Sequence, residues 1–416
     1  MTKTYQALLD LTEDLFRHPE LGFKEHRTKE KIAAYLSDYD FEAISEFAGT
    51  GMKYVLTTGH DKTLALVAEM DAVYAPKHFM ADPETGAAHN CGHFSQVGAI
   101  LGLVDRIMSQ PHILATLDYN LQVIFVPAEE YLDLTYRQEL KAQGLIEYFG
   151  GKQEAIRLGV FDDVDLAICI HAISESHRQP TIEINCDLAG FMYQYFTFKG
   201  QPSHAGFDPF SGVNAYSMGT LFHTALGLGR QQIKDDHYVR INPIVLSADM
   251  TTNIIPDQMT IGTDIRTDDI SYMQTLADRL SQMAQGCAQA LGGNVEIERQ
   301  MGYLPFVQSR SLNASIKQTF QGFPAIDKLI ENRGTVAAAG DIGDLSYLVP
   351  TVQIGYSGFE GTIHGNDFKM TDPAFVLDTF PYFLLAVLSD LTGKVETLCD
   401  YRRSKEAYLE LMDGLG

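Results

Sequence analysis

Leu121-Gln-Val-Ile-Phe-Val-Pro-Ala-Glu-Glu130 is an apolar run that breaks at Pro127 and ends on two carboxylates. A short apolar run closed by a breaker reads as a strand covered on both faces, because burial on both sides removes the polar alternation. Working outward, Thr63–Ala68 and Leu166–Ile170 are runs of the same kind, followed by Glu69-Met-Asp71 and by His171. Helical spacing fills the intervals, notably Gln96–Met108 and Gly151–Leu158. Strands alternating with helices predict a mostly parallel sheet. The ligand crevice of such a sheet lies outside the carboxyl ends of its strands, where these polar residues fall.

Before the first of these strands, residues 5–17 and 27–38 carry apolar positions at helical spacing, separated by Pro19-Glu-Leu-Gly22. The pattern changes near residue 190. Phe191–Phe198 is aromatic-rich and strand-like, followed by a helical stretch at 212–230 and strand-like runs at 238–247 and 258–265. A second helix at 270–291 sets Met273, Leu276, Leu280, Met283, Cys287 and Leu291 at helical spacing, before a last strand at Asn294–Glu298. The order βαββαβ suits a ferredoxin-like α+β unit. Residues 303–416 return to alternating helix and strand, ending in helices at 372–391 and 398–412. The 416 residues exceed the roughly 250–300 at which single cores stop growing. The expected fold is therefore α/β, a mostly parallel-sheet catalytic domain in two parts, 1–188 and 303–416, split by a ferredoxin-like α+β domain at 189–302.

Composition bounds the function. Hydrophobic content of 45% and charged content of 20% are those of an ordinary globular protein. A net charge of -23, from 31 basic and 54 acidic residues, repels polyanions and argues against nucleic acid or an anionic membrane as partner. Cys91, Cys169, Cys186, Cys287 and Cys399 are odd in number and scattered, which fits a reducing compartment better than a disulfide framework. The residues from Met1 to Asp14 hold no apolar signal core, and the apolar stretch Phe380–Leu391 is too short to span a bilayer. A soluble cytoplasmic protein is expected.

Four pieces carry chemistry: His89-Asn-Cys-Gly-His93, Pro127-Ala-Glu-Glu130, His171, and His364 within Gly361-Thr-Ile-His-Gly365. Thiolate, imidazole and carboxylate together make a divalent-metal ligand set. Cys91 and His93 flank one glycine just before a helix, whose N-terminus favours a thiolate. Side chains of adjacent residues at a strand end point to opposite sides, so one of Glu129 and Glu130 can face metal while the other addresses water. Read singly, each piece has a plainer meaning: a buried cysteine in a tight turn, an exposed acidic pair, a surface histidine closing a strand.

Taken in order, the pieces resemble the M20 family of metallopeptidases and amidohydrolases. The branch they resemble contains N-acyl-amino-acid, hippurate, indoleacetyl-amino-acid and aminobenzoyl-glutamate hydrolases. Further matching pieces are Arg17-His-Pro-Glu-Leu-Gly-Phe23, Glu69-Met-Asp71, Ser203-His204-Ala205, Asn253-Ile-Ile-Pro-Asp257 and Asp264-Ile-Arg266. The resemblance implies one or two divalent metals per chain, zinc or manganese, held by Cys91, His93, Glu130, His171 and His364, with Cys91 bridging. It implies Glu129 as general base, Asp71 and His89 as residues that orient ligands, and Asn253 and Arg266 as holders of a substrate carboxylate. Arg266 also suits a structural ion pair. It makes the inserted domain a lid and dimerisation domain, whose His204 reaches the active site of the other subunit of a homodimer.

The pattern departs from the family in two places. Phe94 stands where Cys-Gly-His is usually followed by Asp, and residues 131–150 form an insertion beside the glutamate pair. The insertion's aromatics either shape an acyl pocket or pack as a surface helix. Gly340-Asp-Ile-Gly-Asp-Leu-Ser-Tyr347 resembles the aminobenzoyl-glutamate side of the family. The expected activity is hydrolysis of the amide of a small N-acyl or N-aryl-acyl amino acid. A dipeptidase or carboxypeptidase is the nearest enzymatic alternative, and a catalytically degenerate binding protein the alternative of another class.

Overall fold

The computed structural model describes residues 3–173, 175–248 and 251–415. Helix α1 (Tyr5–Arg17) starts where the Thr4 hydroxyl accepts the Ala7 amide at 3.2 Å, and α2 (His26–Leu36) follows the Pro19–Gly22 turn. Strands β1 (Ala43–Phe47) and β2 (Gly51–Val55) form a hairpin. Strand β3 (Thr63–Glu69) is buried at every position. Helix α3 (His93–Met108) is apolar nearly all round, as a helix enclosed on all sides must be. It starts at Gly92, whose φ of 95° and close approach to Ala172 (a Cβ there would lie 2.8 Å from the alanine Cβ) admit no side chain. Strand β4 (Asn120–Val126), helices α4 (Leu134–Ala142) and α5 (Gly151–Arg157), and strands β5 (Leu166–Ala172) and β6 (Thr181–Glu183) complete the first segment.

The middle segment runs β7 (Gly190–Lys199), α6 (Ala215–Gly229), β8 (Val239–Ala248), β9 (Gln258–Thr267), α7 (Ile270–Ala290) and β10 (Asn294–Met301). The strands pair in the order β8-β9-β7-β10, each pair antiparallel. That order and the βαββαβ sequence are those of a ferredoxin-like sheet with two helices. β7 alternates buried and half-buried residues, the signature of a sheet with one covered face.

The last segment adds α8 (Arg310–Gln321), β11 (Lys328–Ile330), α9 (Ile342–Leu348), β12 (Thr351–Tyr356) and α10 (Phe380–Leu391). The large sheet then reads β1-β2-β4-β3-β5-β12-β6-β11. Its central strands β4, β3, β5 and β12 are parallel, and β1, β2 and β6 contribute the antiparallel pairs. The expected α/β class with a mostly parallel central sheet is the one found.

Chain contacts divide the protein into two units, one of Met1–Cys186, Val307–Gly334 and Gly340–Tyr408, the other of Asp187–Phe306, Thr335–Ala339 and Leu409–Gly416. The second unit thus begins and ends a few residues outside 189–302 and takes in two short later stretches. One helix differs from expectation. The final helix begins at Lys405 and not at 398, because Tyr401 and Arg402 are committed elsewhere. The Tyr401 hydroxyl donates to the Ser346 carbonyl at 2.6 Å and Arg402 reaches Asp165 at 3.1 Å. Among the described residues no helix is long and apolar enough to cross a membrane.

Candidate metal centre

The carboxyl ends of β3, β4 and β5 deliver Glu69 and Asp71, Glu129 and Glu130, and His171 to one place, where the start of α3 adds Cys91 and His93. His93 is fully buried, and its Nδ1 lies 2.9 Å from the Asp71 carbonyl and 3.2 Å from Asp71 Oδ1. A proton on Nδ1 satisfies these acceptors and leaves the Nε2 lone pair for another partner. Nε2 makes no hydrogen bond, and it lies 3.2 Å from Glu69 Oε2 and 4.0 Å from Glu129 Oε2. His171 repeats the device: Nδ1 faces the Ala172 carbonyl at 2.9 Å and Nε2 lies 3.5 Å from Cys91 Sγ. His364 Nε2 is 3.0 Å from Glu130 Oε1, and its backbone, at φ 64°, is anchored where its amide donates to the Asn90 carbonyl at 2.8 Å. A non-glycine residue in that region is held by its surroundings, as is common at functional sites.

The donor atoms of Cys91, His93 and His171 fall within 4.8 Å of one another, as do those of Cys91, Glu130 and His364 and those of Glu69, His93 and Glu129. Cys91 belongs to the first two groups, the position a bridging donor requires. Thiolate, imidazole and carboxylate at such spacing suit a borderline-soft divalent ion, and His93 Nε2 is a buried donor left without a hydrogen bond. The residues present fit a metal centre.

Electrostatics reinforce that fit. Burial pushes the Cys91 thiol well up, and the Glu130 carboxylate adds to it, so only a cation makes a thiolate comfortable here. Burial and the charges of Glu69 and Glu130 likewise hold Glu129 well above the ordinary carboxylate range. Burial opposes ionisation of Glu130 as well, but its hydrogen bond and ion pair with His364 hold it at about 2. Beneath the cluster, Lys152 is fully buried, with Nζ 2.6 Å from both Glu69 Oε1 and Asp341 Oδ1. This ammonium, with smaller help from His93 and His171, overcomes the burial of Glu69 and brings it to about 2. Asp71, besides orienting His93, accepts the Glu130 amide at 3.0 Å and so ties two donors together.

Some residues singled out by sequence lie apart. His89 is buried with neither ring nitrogen hydrogen-bonded, and burial followed by His93 lowers it to about 3. Its ring lies 5.7 Å from that of Phe94 in a tilted arrangement. Phe94 packs against Phe16 at 4.7 Å, and the carboxylate beside the His93 ring comes from Asp71. In the 131–150 segment, Tyr136, Leu140 and Phe149 pack on Phe23, Ala128 and Ile146, as the packed-helix alternative expects.

His204, Asn253 and Arg266 belong to the second unit. His204 is exposed, and its Nδ1 accepts the amides of Gly206 (3.2 Å) and Phe207 (2.9 Å), which leaves the ring proton on Nε2. The exposed Asn253 gives its carbonyl to the Ala205 amide at 2.9 Å. Arg266 spends Nε on Asp264 (3.0 Å) and Nη1 on the Ala337 carbonyl (2.7 Å), and lies over the Phe191 ring. That is the ion-pairing use open to a guanidinium. Sequence reasoning did not reach Glu69 as a neighbour of His93, nor Lys152, Asp341 and Arg137. The Gly150-Gly151-Lys152 run beside the insertion was their one local signal.

Residues 65–380 match the model of peptidase family M20/M25/M40. An N-acyl-L-amino acid amidohydrolase of Geobacillus stearothermophilus is 24% identical over 303 residues, 70% of this chain and 75% of that protein. An N-acetylcysteine deacetylase of Bacillus subtilis is 24% identical over 317 residues, 73% of this chain and 76% of that protein. A Bacillus subtilis structure described as a dinuclear metal binding peptidase of the M20 family superposes with a TM-score of 0.74 at 18% identity, covering 94% of this chain and 98% of that one. The chain belongs to peptidase family M20/M25/M40, whose members hydrolyse amide bonds.

Proposed function

We propose that this protein hydrolyses the amide bond of an N-acyl or N-aryl-acyl amino acid, using divalent metal held by Cys91, His93, Glu130, His171 and His364. The observation that carries this reading is the pair of three-donor groups sharing Cys91, with the Glu129 carboxylate beside them. Metal bound there supplies Lewis acidity, which acidifies water and polarises a carbonyl oxygen. The donor set, with a thiolate and three imidazoles, favours zinc by softness. Glu129, whose proton affinity is raised by burial and by its acidic neighbours, accepts a proton from water and returns it to the leaving amine. Asp71 keeps His93 and Glu130 in place while the proton moves.

The ferredoxin-like unit supports the other half of this proposal. Strand β8 is an edge of its sheet, and Ile244, Val245 and Leu246 on it are 56, 45 and 53% exposed. A long apolar edge invites a second copy to extend the sheet. Phe207 and Phe210 beside His204 are 84 and 87% exposed. In a homodimer made through this unit, the Nε2–H of His204 donates to the developing oxyanion in the partner's site, and Asn253 with the free edge of Arg266 holds the substrate carboxylate. The free cysteines suit a reducing, cytoplasmic setting.

A dipeptidase of the same chemistry is favoured by one relative, the Xaa-Arg dipeptidase of Mus musculus, 24% identical over 364 residues. The test is a panel of N-acetyl-, N-benzoyl- and aminobenzoyl-amino acids beside unblocked dipeptides, with and without chelator. Chelator-sensitive release of amino acid from blocked substrates is expected. Turnover of unblocked dipeptides alone would transfer the assignment to dipeptidase, and turnover untouched by chelation would remove the proposal.

A further inference from the structure

Arg137 is the other buried cation near the cluster, and it comes from the 131–150 insertion. It is 1% exposed, on α4. Its Nη2 donates to the Glu130 carbonyl at 2.5 Å and its Nη1 to the Phe149 carbonyl at 2.5 Å, while Nε has no hydrogen-bond partner. The guanidinium lies over the Phe23 ring at 5.4 Å. Gly22 leaves room for it, since a Cβ at that position would lie 2.5 Å from Nη2. Burying an arginine against carbonyls, with no carboxylate bonded to it, is costly, and such an arrangement is kept for what it holds.

It holds the peptide of Glu130 from one end. The Glu130 amide is bound by Asp71 Oδ2 at 3.0 Å, its carbonyl by Arg137, and its carboxylate reaches His364 at 3.0 Å. The backbone on either side is unusual, with Ala128 at φ 54° and Asp133 at φ 52°. A segment bent this way keeps its geometry only when several bonds determine it together. The insertion is fastened in turn from the surface, where Lys24 bonds Asp133 at 2.7 Å.

We propose that Arg137 is a positioning residue. It fixes the Glu130 peptide so that the carboxylate meets Cys91 and His364 at one metal position, and the insertion is the brace that carries it. This rests on the metal reading given above. Partners that orient a ligand from behind typically govern metal affinity about 10–100-fold.

The test uses the full chain, stripped of metal and titrated with zinc against a chromophoric chelator, with melting followed in parallel. Wild type is compared with Arg137→Lys, which keeps the charge and one of the two bonds, with Arg137→Met, and with Lys24→Ala, which removes one partly exposed ion pair of the insertion and leaves both Arg137 bonds in place. The expected result is a loss of zinc affinity of about 10–100-fold at one position in both Arg137 variants, and wild-type affinity in Lys24→Ala however far its melting point falls. Folded Arg137 variants that bind zinc as wild type does would overturn the proposal. So would an Arg137→Lys protein that fails to fold, since the role would then be structural. Wild type that binds no zinc would overturn the metal reading itself, a result distinct from the other two.

Discussion

Replacing Lys152 by methionine removes the one ammonium that two buried carboxylates share while keeping most of the side chain's volume. Glu69 and Asp341 each lose a 2.6 Å charge-assisted bond in a place without solvent. In the intact protein Glu69 is held at about 2 against an ordinary 4.5. At about 1.4 kcal/mol per unit this shift corresponds to roughly 3 kcal/mol, the lower end of the ~3–5 kcal/mol lost when one partner of a buried pair is removed. At about 2 °C per kcal/mol for a chain of this size, melting of the metal-free protein falls by roughly 6–10 °C near neutral pH.

The sign of the pH dependence is fixed by the same groups. A depressed carboxyl contributes stability above its ordinary value, here 4.5, and loses it as pH falls through 2. Without Lys152 the largest source of that contribution is absent, and burial favours the protonated forms of Glu69 and of Asp341, which burial raises to about 6 even in the intact protein. The variant therefore loses stability as pH rises, so its deficit grows from roughly 3 kcal/mol near pH 5, where the lost Glu69 contribution is already nearly complete, to a larger value near pH 7.5, where burial of the unpaired carboxyls adds to it. Thermal unfolding by circular dichroism at about these two pH values, in chelator, measures both quantities. A deficit below about 1 kcal/mol, or one equal at both pH values, would refute the reasoning.

Glu129→Gln keeps the volume and removes the base, so kcat should fall about 10²–10⁴-fold with bound metal retained, read by steady-state kinetics beside elemental analysis. Glu25 is fully buried and raised to about 8, by burial and then by Asp71. Its raised value makes wild-type stability decline as pH climbs from 4.5 to 8, and Glu25→Gln, compared by urea unfolding across that range, should lessen the decline. Ile244→Lys places a charge on the exposed edge strand and should convert a dimer to monomer in sedimentation without lowering the melting of either unit.

The central strands were legible because full burial writes itself as unbroken apolar runs, as in β3 and β4. The clustered side chains were legible because Glu129, Glu130 and His171 fall at strand ends and Cys91 and His93 flank the tight turn at Gly92. The hairpin β1–β2 was not legible: Ala43–Phe47 is exposed over most of its length and alternates too weakly to stand out. The supporting ions were invisible for a different reason. Lys152 meets Glu69 and Asp341 across 83 and 189 residues of chain, and no local pattern announces a buried lysine. Motif membership does not reveal contacts either: the His89 ring nitrogens make no hydrogen bond, while the contact to the His93 ring comes from Asp71, just past the end of a separate strand. The place of Arg137 was not legible, because nothing in its local sequence shows that its guanidinium meets the Glu130 carbonyl.

The proposed hydrolysis requires bound metal. Purified without chelator, the wild-type chain and Cys91→Ala should be compared by elemental analysis for bound metal per chain. Near-stoichiometric divalent metal in the wild type, lost in the variant, is the predicted result. Wild type and variant both free of metal after incubation with excess zinc and manganese would contradict it and leave a binding protein built on a hydrolase fold.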